Sequence, residues 1–194
     1  MSTARATRRR GGVLETAIFD AVLAELADVG YGRMTMERIA ARAGTAKSSL
    51  YRRWSSLEDL VLAAADTAMA HPERLPETGD LRSELVAALT LMAETISSPT
   101  GRAVTSVLGE INRSAKLRKV AEEKFLNPRI RAATAIFERA AARGEIRAGA
   151  VTPYVAQTGP ALILHLAVIR GRTLSRTDVE DIVDQVILPA VARR

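Results

Sequence analysis

The side chains best suited to chemistry lie in one basic stretch near the N-terminus. Residues 33–53 contain six bases and one acid, Glu37, whereas residues 14–32 contain four acids and no base. Guanidinium and ammonium groups bind phosphate oxygens, and this concentration of positive charge is the electrostatic footprint of a polyanion binder. Charge alone leaves a solvated basic face as an equal alternative. Four further arginines precede the stretch on a predicted tail that would enter the minor groove or remain without a role: Arg5, Arg8, Arg9 and Arg10.

The spacing of small and apolar residues in the basic stretch predicts a helix-turn-helix. The pattern is Ile39-Ala40-x-x-Ala43-Gly44, with Leu50 six residues further on. The small Ala40 lets two helices cross closely, and Gly44 supplies a left-handed turn in which a β-carbon would cost energy. Ile39, Ala43, Leu50 and Trp54 then point inward. The second helix is left with four exposed side chains for phosphates or base edges in the major groove: Lys47, Ser48, Tyr51 and Arg52.

The elements that must position these residues are predicted to be helices alone. Aromatic residues make up only 4% of the chain, alternating β-branched runs are absent, and apolar residues recur at helical spacing throughout. Thr35 is the predicted N-cap of the second helix, Ser56 with Asp59 starts the fourth, and Thr177 with Glu180 forms a capping box for the last. The predicted all-α fold has helices at 13–29, 36–43, 47–54, 56–69, 81–96, 101–113, 115–125, 128–143, 153–169 and 178–192.

Residues 35–60, TMERIAARAGTAKSSLYRRWSSLEDL, resemble the DNA-binding domain of the TetR (tetracycline-repressor-like) family of bacterial regulators. The shared features are the Thr before the second helix, I-A-x-x-A-G, L-Y-x-x-aromatic, and the Ser-x-Glu-x-Leu that opens the fourth helix. The resemblance implies an N-terminal three-helix helix-turn-helix domain at residues 1–55, including the basic tail. It also implies a C-terminal helical bundle for ligand binding and dimerisation at residues 56–194, with residues 56–70 as the connecting helix.

The resemblance also implies roles for individual residues. Thr35 caps its helix and touches phosphate, Lys47 contacts a base or phosphate, and the Tyr51 hydroxyl lies on phosphate while its ring packs against the domain. Arg52 and Arg53 bind phosphate, although Arg52 could instead read guanine. The remaining implied DNA contacts are the short hydroxyl side chains of Thr45, Ser48 and Ser49.

Two positions depart from the family pattern. Ala46 stands where the family commonly has Ser as the cap of the recognition helix, so either Thr45 caps a shifted start or the cap is missing. Leu57 stands where the family commonly has a phosphate-binding Lys. Without such a phosphate contact, binding is weaker but sequence preference is unchanged.

The C-terminal part is expected to supply a dimer interface and a small-molecule site. By family analogy, helices 153–169 and 178–192 pair with those of a second copy, although they could be monomer core instead. Few aromatic residues follow residue 60, which favours an aliphatic effector. The candidate lining residues, each of which could also be ordinary core, are Met92, Leu108, Phe137, Leu162 and His165.

Composition and motifs exclude several other classes of protein. The chain of 194 residues is 47% hydrophobic with a net charge of +6, which is too apolar for a disordered chain, and it has no cysteine for a disulfide or thiolate site. Glu15 and Asp20 interrupt any signal peptide, and Pro and Gly residues make the uncharged stretch 148–169 a buried helix rather than a membrane span. Enzyme motifs such as the P-loop and H-E-x-x-H are absent, and no cofactor or metal is expected.

The sequence therefore predicts a cytoplasmic homodimeric repressor that binds a palindromic operator in double-stranded DNA and is released by a small-molecule effector. The alternative is a dimeric ligand-binding or protein-binding helical module in which DNA binding is weakened, as Ala46 and Leu57 suggest. Four of the implied DNA-contact residues are present and argue against such weakening: Lys47, Tyr51, Arg52 and Arg53.

Overall fold

A computed structural model describes residues 12–69 and 77–193, and every regular element among these residues is helical. The tail arginines at positions 5–10 lie outside the described residues. Tyr31–Arg33 forms a short 3-10 turn, and π-helical turns at Glu122–Leu126, His165–Ile169 and Val183–Ile187 continue the helices that precede them. The α-helices are α1 (Gly12–Val29), α2 (Met36–Arg42), α3 (Lys47–Tyr51), α4 (Leu57–Ala68), α5 (Leu81–Ser97), α6 (Pro99–Thr105), α7 (Leu108–Ile111), α8 (Ala115–Ala121), α9 (Asn127–Ala142), α10 (Pro153–Leu164), α11 (Arg176–Ile182) and α12 (Leu188–Val191).

The N-terminal helices pack around a core to which α1, α2, α3 and α4 all contribute. Each helix contributes one completely buried residue to this N-terminal core: Ile18, Ile39, Leu50 and Leu60. Trp54 packs against it from outside, with its ring 5.6 Å from that of Phe19. The same cluster includes Ala103, Val107, Leu117 and Ala121, so the core around α4 continues into α6 and α8.

A second core lies among α5, α9, α10 and the final helix, which comprises α11, the π-helical turn Val183–Ile187 and α12. Each of these four elements contributes a buried residue to this core: Leu89, Phe137, Ile163 and Val183. Gly159 of α10 allows α10 to approach α5 closely, since an added β-carbon at this position would lie 2.8 Å from the Leu89 side chain. The second core gives the C-terminal part of the chain its own packed interior.

Two sequence predictions about helix ends were wrong. The stretch predicted as one helix at 101–113 is two short helices, α6 and α7, because Ser98 caps α6 early and Val107 donates to Val104 in a tighter turn. The final helix begins at Arg176, because the capping box consists of Ser175 and Asp178 rather than Thr177 and Glu180. Glu180 instead accepts a hydrogen bond from Arg176 one turn earlier.

No helix within the described parts of the chain is long and apolar enough to cross a membrane. The uncharged stretch forms α10 and its π-helical turn, which pack on the second core.

Candidate functional site

Two short helices, α2 and α3, form a helix-turn-helix around a glycine turn. Gly44 has a φ of +64°, the left-handed conformation that the sequence predicts at this position. The Thr45 N–H donates to the Ala40 carbonyl at 3.0 Å and closes the turn after α2. Ala43 and Leu50 are buried on opposite sides of the turn, so the crossing angle of the two helices is set by packing.

The outer face of α3 carries the polar side chains that the sequence places there. Lys47, Ser48, Tyr51 and Arg52 are all exposed, and the exposed Tyr51 ring lies under the Lys47 ammonium at 5.4 Å. Arg53 is exposed just beyond the helix, and Thr35 is exposed at the start of α2. One short helix therefore presents two cations and two hydroxyl groups to solvent, as contact with a duplex requires.

Ser49 does not belong to this outer face. Its residue is only 6% exposed, because it stands beside Leu50 on the side of α3 that packs against the domain. The sequence predicts a DNA contact for Ser49 together with Ser48, and the structure places Ser49 inside the domain instead. Helical periodicity could have separated the two serines, since adjacent residues on a helix point about 100° apart.

The helix caps agree with the sequence at α2 and α4 and decide the open question at α3. Thr35 accepts from the Arg38 N–H at 3.2 Å, and Ser56 accepts from the Asp59 N–H at 3.1 Å. Ala46 is the residue before α3, with extended backbone and no side-chain hydrogen bond. The cap of the recognition helix is thus missing, and Thr45 does not replace it.

Leu57, the second departure from the family pattern, is the first residue of α4. Its side chain is partly buried and packs against the N-terminal core. The position therefore contributes apolar packing where a lysine would contribute a charge at the protein surface.

Acidic residues hold most of the bases in the helix-turn-helix. The buried Glu25 of α1 pairs with Arg38 at 2.7 Å and with Arg42 at 3.0 Å, and Arg53 pairs with Glu15 at 3.0 Å. These ion pairs fasten α1 to α2 and to the segment that follows α3. Arg52 makes no ion pair within the part of the chain that the structure describes, so its guanidinium is available to an external anion.

Lys47 is engaged by Glu37, the single acid of the basic stretch. The ammonium donates a hydrogen bond to the Glu37 carboxylate across the turn. This hydrogen bond raises the pKa of Lys47 and lowers the pKa of Glu37, since each charge stabilises the other. This pairing was not predicted from the sequence, although Glu37 is the one acid among the six bases of residues 33–53.

A cavity of about 380 Å³ lies behind α4, between the two cores. Its wall is built mainly from α4, α5, α6, α7, α9 and α10, and it is overwhelmingly apolar. Three of the predicted lining residues, Met92, Leu108 and Phe137, belong to the wall. Leu162 and His165 do not, and His165 is exposed, because the turn of α10 directs these two side chains elsewhere.

Ion pairs tie α4 to the helices on the other side of the cavity. Lys116 pairs with Glu58 at 3.1 Å and Lys124 with Asp59 at 2.6 Å near the start of α4. Near its end, Arg129 of α9 pairs with Asp66 at 2.7 Å, and Arg129 is also part of the cavity wall. The pairing of Arg129 with Asp66 was not predicted from the sequence, because 63 positions separate the two residues.

Within residues 12–69 and 77–193, no group of three or more His, Asp or Glu side chains is arranged to hold a metal ion.

Comparisons with known proteins match both halves of the chain. Residues 18–64 match the family described as "Bacterial regulatory proteins, tetR family", and residues 75–186 match "Tetracyclin repressor-like, C-terminal domain". The uncharacterised HTH-type transcriptional regulator Rv1556 of Mycobacterium tuberculosis is 31% identical over 92% of this chain and 88% of its own. The DNA-binding transcriptional repressor TetR of Mycobacteroides abscessus is 25% identical over 92% of this chain and 94% of its own.

Solved structures share the fold. The crystal structure of the TetR family transcription regulator SCO0332 is 24% identical with a TM-score of 0.72, over 93% of this chain and 99% of that one. GusR of Salmonella enterica is 19% identical with a TM-score of 0.72, over 94% of this chain and 97% of that one. At these identities the likeness concerns the fold alone.

Proposed function

The chain belongs to the TetR family of DNA-binding helix-turn-helix transcriptional regulators, and we propose that it is a homodimeric repressor released by a small-molecule effector. The family is one of regulators and not of enzymes. The observation that carries the proposal is the exposed face of α3, where Lys47, Ser48, Tyr51 and Arg52 stand together on a helix fixed by a buried Leu50. Behind it, α4 joins this motif to an apolar cavity.

The proposed DNA contacts fall into two kinds. Lys47 and Ser48 lie at the start of the recognition helix, where side chains of a helix-turn-helix approach base edges. Five residues around Lys47 and Ser48 bind phosphates, and these contacts fix the register of the helix on the duplex. They are Thr35, Thr45, Tyr51, Arg52 and Arg53. Arg53 must first leave Glu15, and Lys47 must leave Glu37, because both acids compete with phosphate.

A homodimer through α10 and the final helix accounts for apolar surface that the monomer leaves uncovered. Tyr154 and Ile169, at the two ends of α10 and its π-helical turn, are 84% and 72% exposed, and Val186 of the final helix is 43% exposed. A recognition helix as short as α3 reads only a few base pairs, so specificity requires two copies on a palindrome. Exposed apolar residues on one helix pair suit the interface between those copies.

The effector site of the proposal is the cavity behind α4. Its volume falls in the range of roughly 300–1,000 Å³ that is usual for small-molecule pockets. Val61, Leu62 and Ala65 of α4 form part of its wall, while Leu60 of the same helix is buried in the N-terminal core. A ligand that moves α4 therefore shifts α3, and about 1–3 kcal/mol of coupling is enough for a useful change in operator affinity.

For the division of the chain we propose a DNA-binding domain at residues 1–55 and a ligand-binding and dimerisation domain at residues 56–194. Residues 56–70 are then the connecting segment, most of which is α4. The continuity of the N-terminal core from α4 into α6 and α8 supports α4 as the element through which the two parts communicate.

The test is a titration of the protein against the duplex upstream of its own gene, at two salt concentrations, with a scrambled duplex as control. Tight, salt-sensitive binding that prefers the native duplex is the expected result, because a regulator combines phosphate contacts with base readout. Footprinting then shows whether the protected sequence is a palindrome.

A second candidate function is a dimeric ligand-binding or protein-binding module in which DNA binding is weakened. The observations that favour it are the uncapped start of α3 at Ala46 and the apolar Leu57 at the start of α4. Equal and weak binding to the native duplex, the scrambled duplex and a panel of other promoter duplexes would select this alternative.

A further inference from the structure

The proposed effector site contains one charged group, and its position points to the chemical class of the effector. We propose that the effector is an amphipathic anion, whose apolar body fills the cavity and whose carboxylate replaces Asp66 as the partner of Arg129. This inference rests on the proposed ligand-regulated function and names the class of molecule that the cavity accepts.

Arg129 is the sole charged side chain in the described wall of the cavity. The wall has three other polar side chains, and each already bonds to the backbone of its own helix. Thr95 donates to the Leu91 carbonyl at 2.7 Å, Thr105 to Arg102 at 3.1 Å and Gln157 to Pro153 at 2.9 Å. These side chains already donate a hydrogen to their own helix and offer few partners to a ligand with several hydroxyl or amide groups, whose loss of hydration is costly in an apolar cavity.

A guanidinium at the edge of an apolar cavity favours a single anionic group. A carboxylate accepts two parallel N–H bonds from Arg, and such charge-assisted bonds are stronger where water is excluded. An ammonium group would instead be repelled by Arg129. The rest of the wall, from Leu62 on α4 to Ile130 and Phe137 on α9, matches a hydrocarbon body.

The exposure of the two ion-pair partners makes the exchange favourable. Arg129 has a side chain only 18% exposed, whereas the side chain of Asp66 is 42% exposed. The carboxylate of a ligand in the cavity pairs with Arg129, which is the less hydrated of the two partners. Displacement of Asp66 costs little desolvation, because its side chain is already partly exposed.

The exchange also gives the anion a means of acting on α4. Asp66 lies near the C-terminal end of α4, while Glu58 and Asp59 hold the N-terminal end through Lys116 and Lys124. Loss of this ion pair weakens the attachment of one end of α4, the helix that joins the recognition motif to the cavity. A neutral ligand of the same size fills the cavity but leaves this ion pair in place.

The experiment measures binding of decanoate, 1-decanol and decylamine to the full-length protein by titration calorimetry. Wild-type protein is compared with Arg129→Gln and Asp66→Asn, and Arg129→Lys serves as a second variant that keeps a cation if Arg129→Gln does not fold. Lys124→Gln is the matched control, because it removes another cation that tethers α4 but lies outside the cavity wall. Helical content by circular dichroism verifies the fold of each variant.

The expected result is that wild-type protein binds decanoate about tenfold or more tightly than decanol, and decylamine most weakly. Arg129→Gln abolishes this preference, Arg129→Lys retains part of it and Lys124→Gln retains all of it. Asp66→Asn tightens decanoate binding and leaves decanol binding unchanged, because the competing carboxylate is gone. If Arg129 had only a structural role, Arg129→Gln and Asp66→Asn would not change the affinity for decanoate in opposite directions.

Equal affinity for decanoate and decanol overturns the inference, as does failure of all three probes to bind or a preference that survives Arg129→Gln. The proposed function is judged separately, by the binding of ligand-free protein to the native and scrambled duplexes. If specific operator binding is found and decanol binds as well as decanoate, the effector is a neutral apolar molecule and only the present inference fails.

Discussion

The carboxylate of Glu37 on α2 accepts a hydrogen bond from the ammonium of Lys47, the first residue of the recognition helix. The cation best placed to contact DNA is therefore held by an acid of the same motif. Because both side chains are exposed, the pair exchanges readily with solvent and with a phosphate. The proposed contact between Lys47 and DNA requires that this pair open.

The first prediction follows from this competition. Glu37→Gln raises operator affinity a few-fold, since Lys47 no longer has to leave a carboxylate before it meets DNA. Affinity is measured by fluorescence anisotropy with a labelled operator duplex. Glu138→Gln, the same change on the exposed face of α9, is the control for net charge and leaves the affinity nearly unchanged. Equal gains in both variants would attribute the effect to overall charge.

The second prediction separates two neighbouring arginines. Arg52→Gln lowers affinity for all duplexes and reduces the slope of log affinity against log salt by about one for each phosphate that is no longer bound. Arg53→Gln has the smaller effect, because the Arg53 guanidinium is already paired with Glu15 at 3.0 Å. If Arg52→Gln instead changes preference at a single base pair, Arg52 reads guanine and does not bind phosphate.

The third prediction concerns the missing cap. Ala46 has the extended backbone of an N-cap residue, so Ala46→Ser adds a hydroxyl that accepts from the start of α3. We expect the free energy of unfolding to rise by about 1 kcal/mol, and Thr35→Ala to lower it by a similar amount. Both are measured by chemical denaturation. An unchanged midpoint for Ala46→Ser would show that the start of α3 has no orphan N–H group within reach.

The fourth prediction tests the dimer. Val186→Arg places a charge on the exposed apolar face of the final helix and is expected to convert the proposed homodimer into a monomer, as sedimentation velocity would detect. Val13→Arg is the matched control, because Val13 is also an exposed apolar residue but lies on α1. A dimer that persists in both variants would place the interface on another surface.

The fifth prediction concerns alkaline pH. Burial, together with the charges of Glu58 and Glu110, raises the pKa of Tyr31 from 10 to about 12. The native state therefore keeps a proton that the unfolded chain loses, so the contribution of Tyr31 to stability is complete below pH 10. That contribution disappears as the pH rises from 10 to about 12.

Ultraviolet titration of tyrosinate provides the measurement. Native protein shows a late ionisation step, and Tyr31→Phe removes that step. The same variant loses less stability than the wild type between these pH values. A late step that remains in Tyr31→Phe would show that the step does not belong to Tyr31.

The helix-turn-helix could be predicted from the amino-acid sequence, because the features that define it are local. These features lie within 16 positions of one another: the Thr35 cap, the buried Ile39 and Leu50, and the left-handed turn at Gly44. Backbone sterics and helical periodicity act over that range. Membership of the family follows from the same residues. The predicted capping box of the last helix was wrong by two positions, because Ser175 and Thr177 satisfy the same local pattern.

The pairing of side chains that are distant in the chain depends on tertiary packing. Arg129 and Asp66 are 63 positions apart, and packing of α9 against α4 brings them to 2.7 Å. The same packing forms the cavity, includes Met92, Leu108 and Phe137 in its wall, and leaves Leu162 and His165 outside it. Helical periodicity gives the direction of a side chain relative to its own helix, whereas the neighbours of that side chain depend on how the helices are arranged in space.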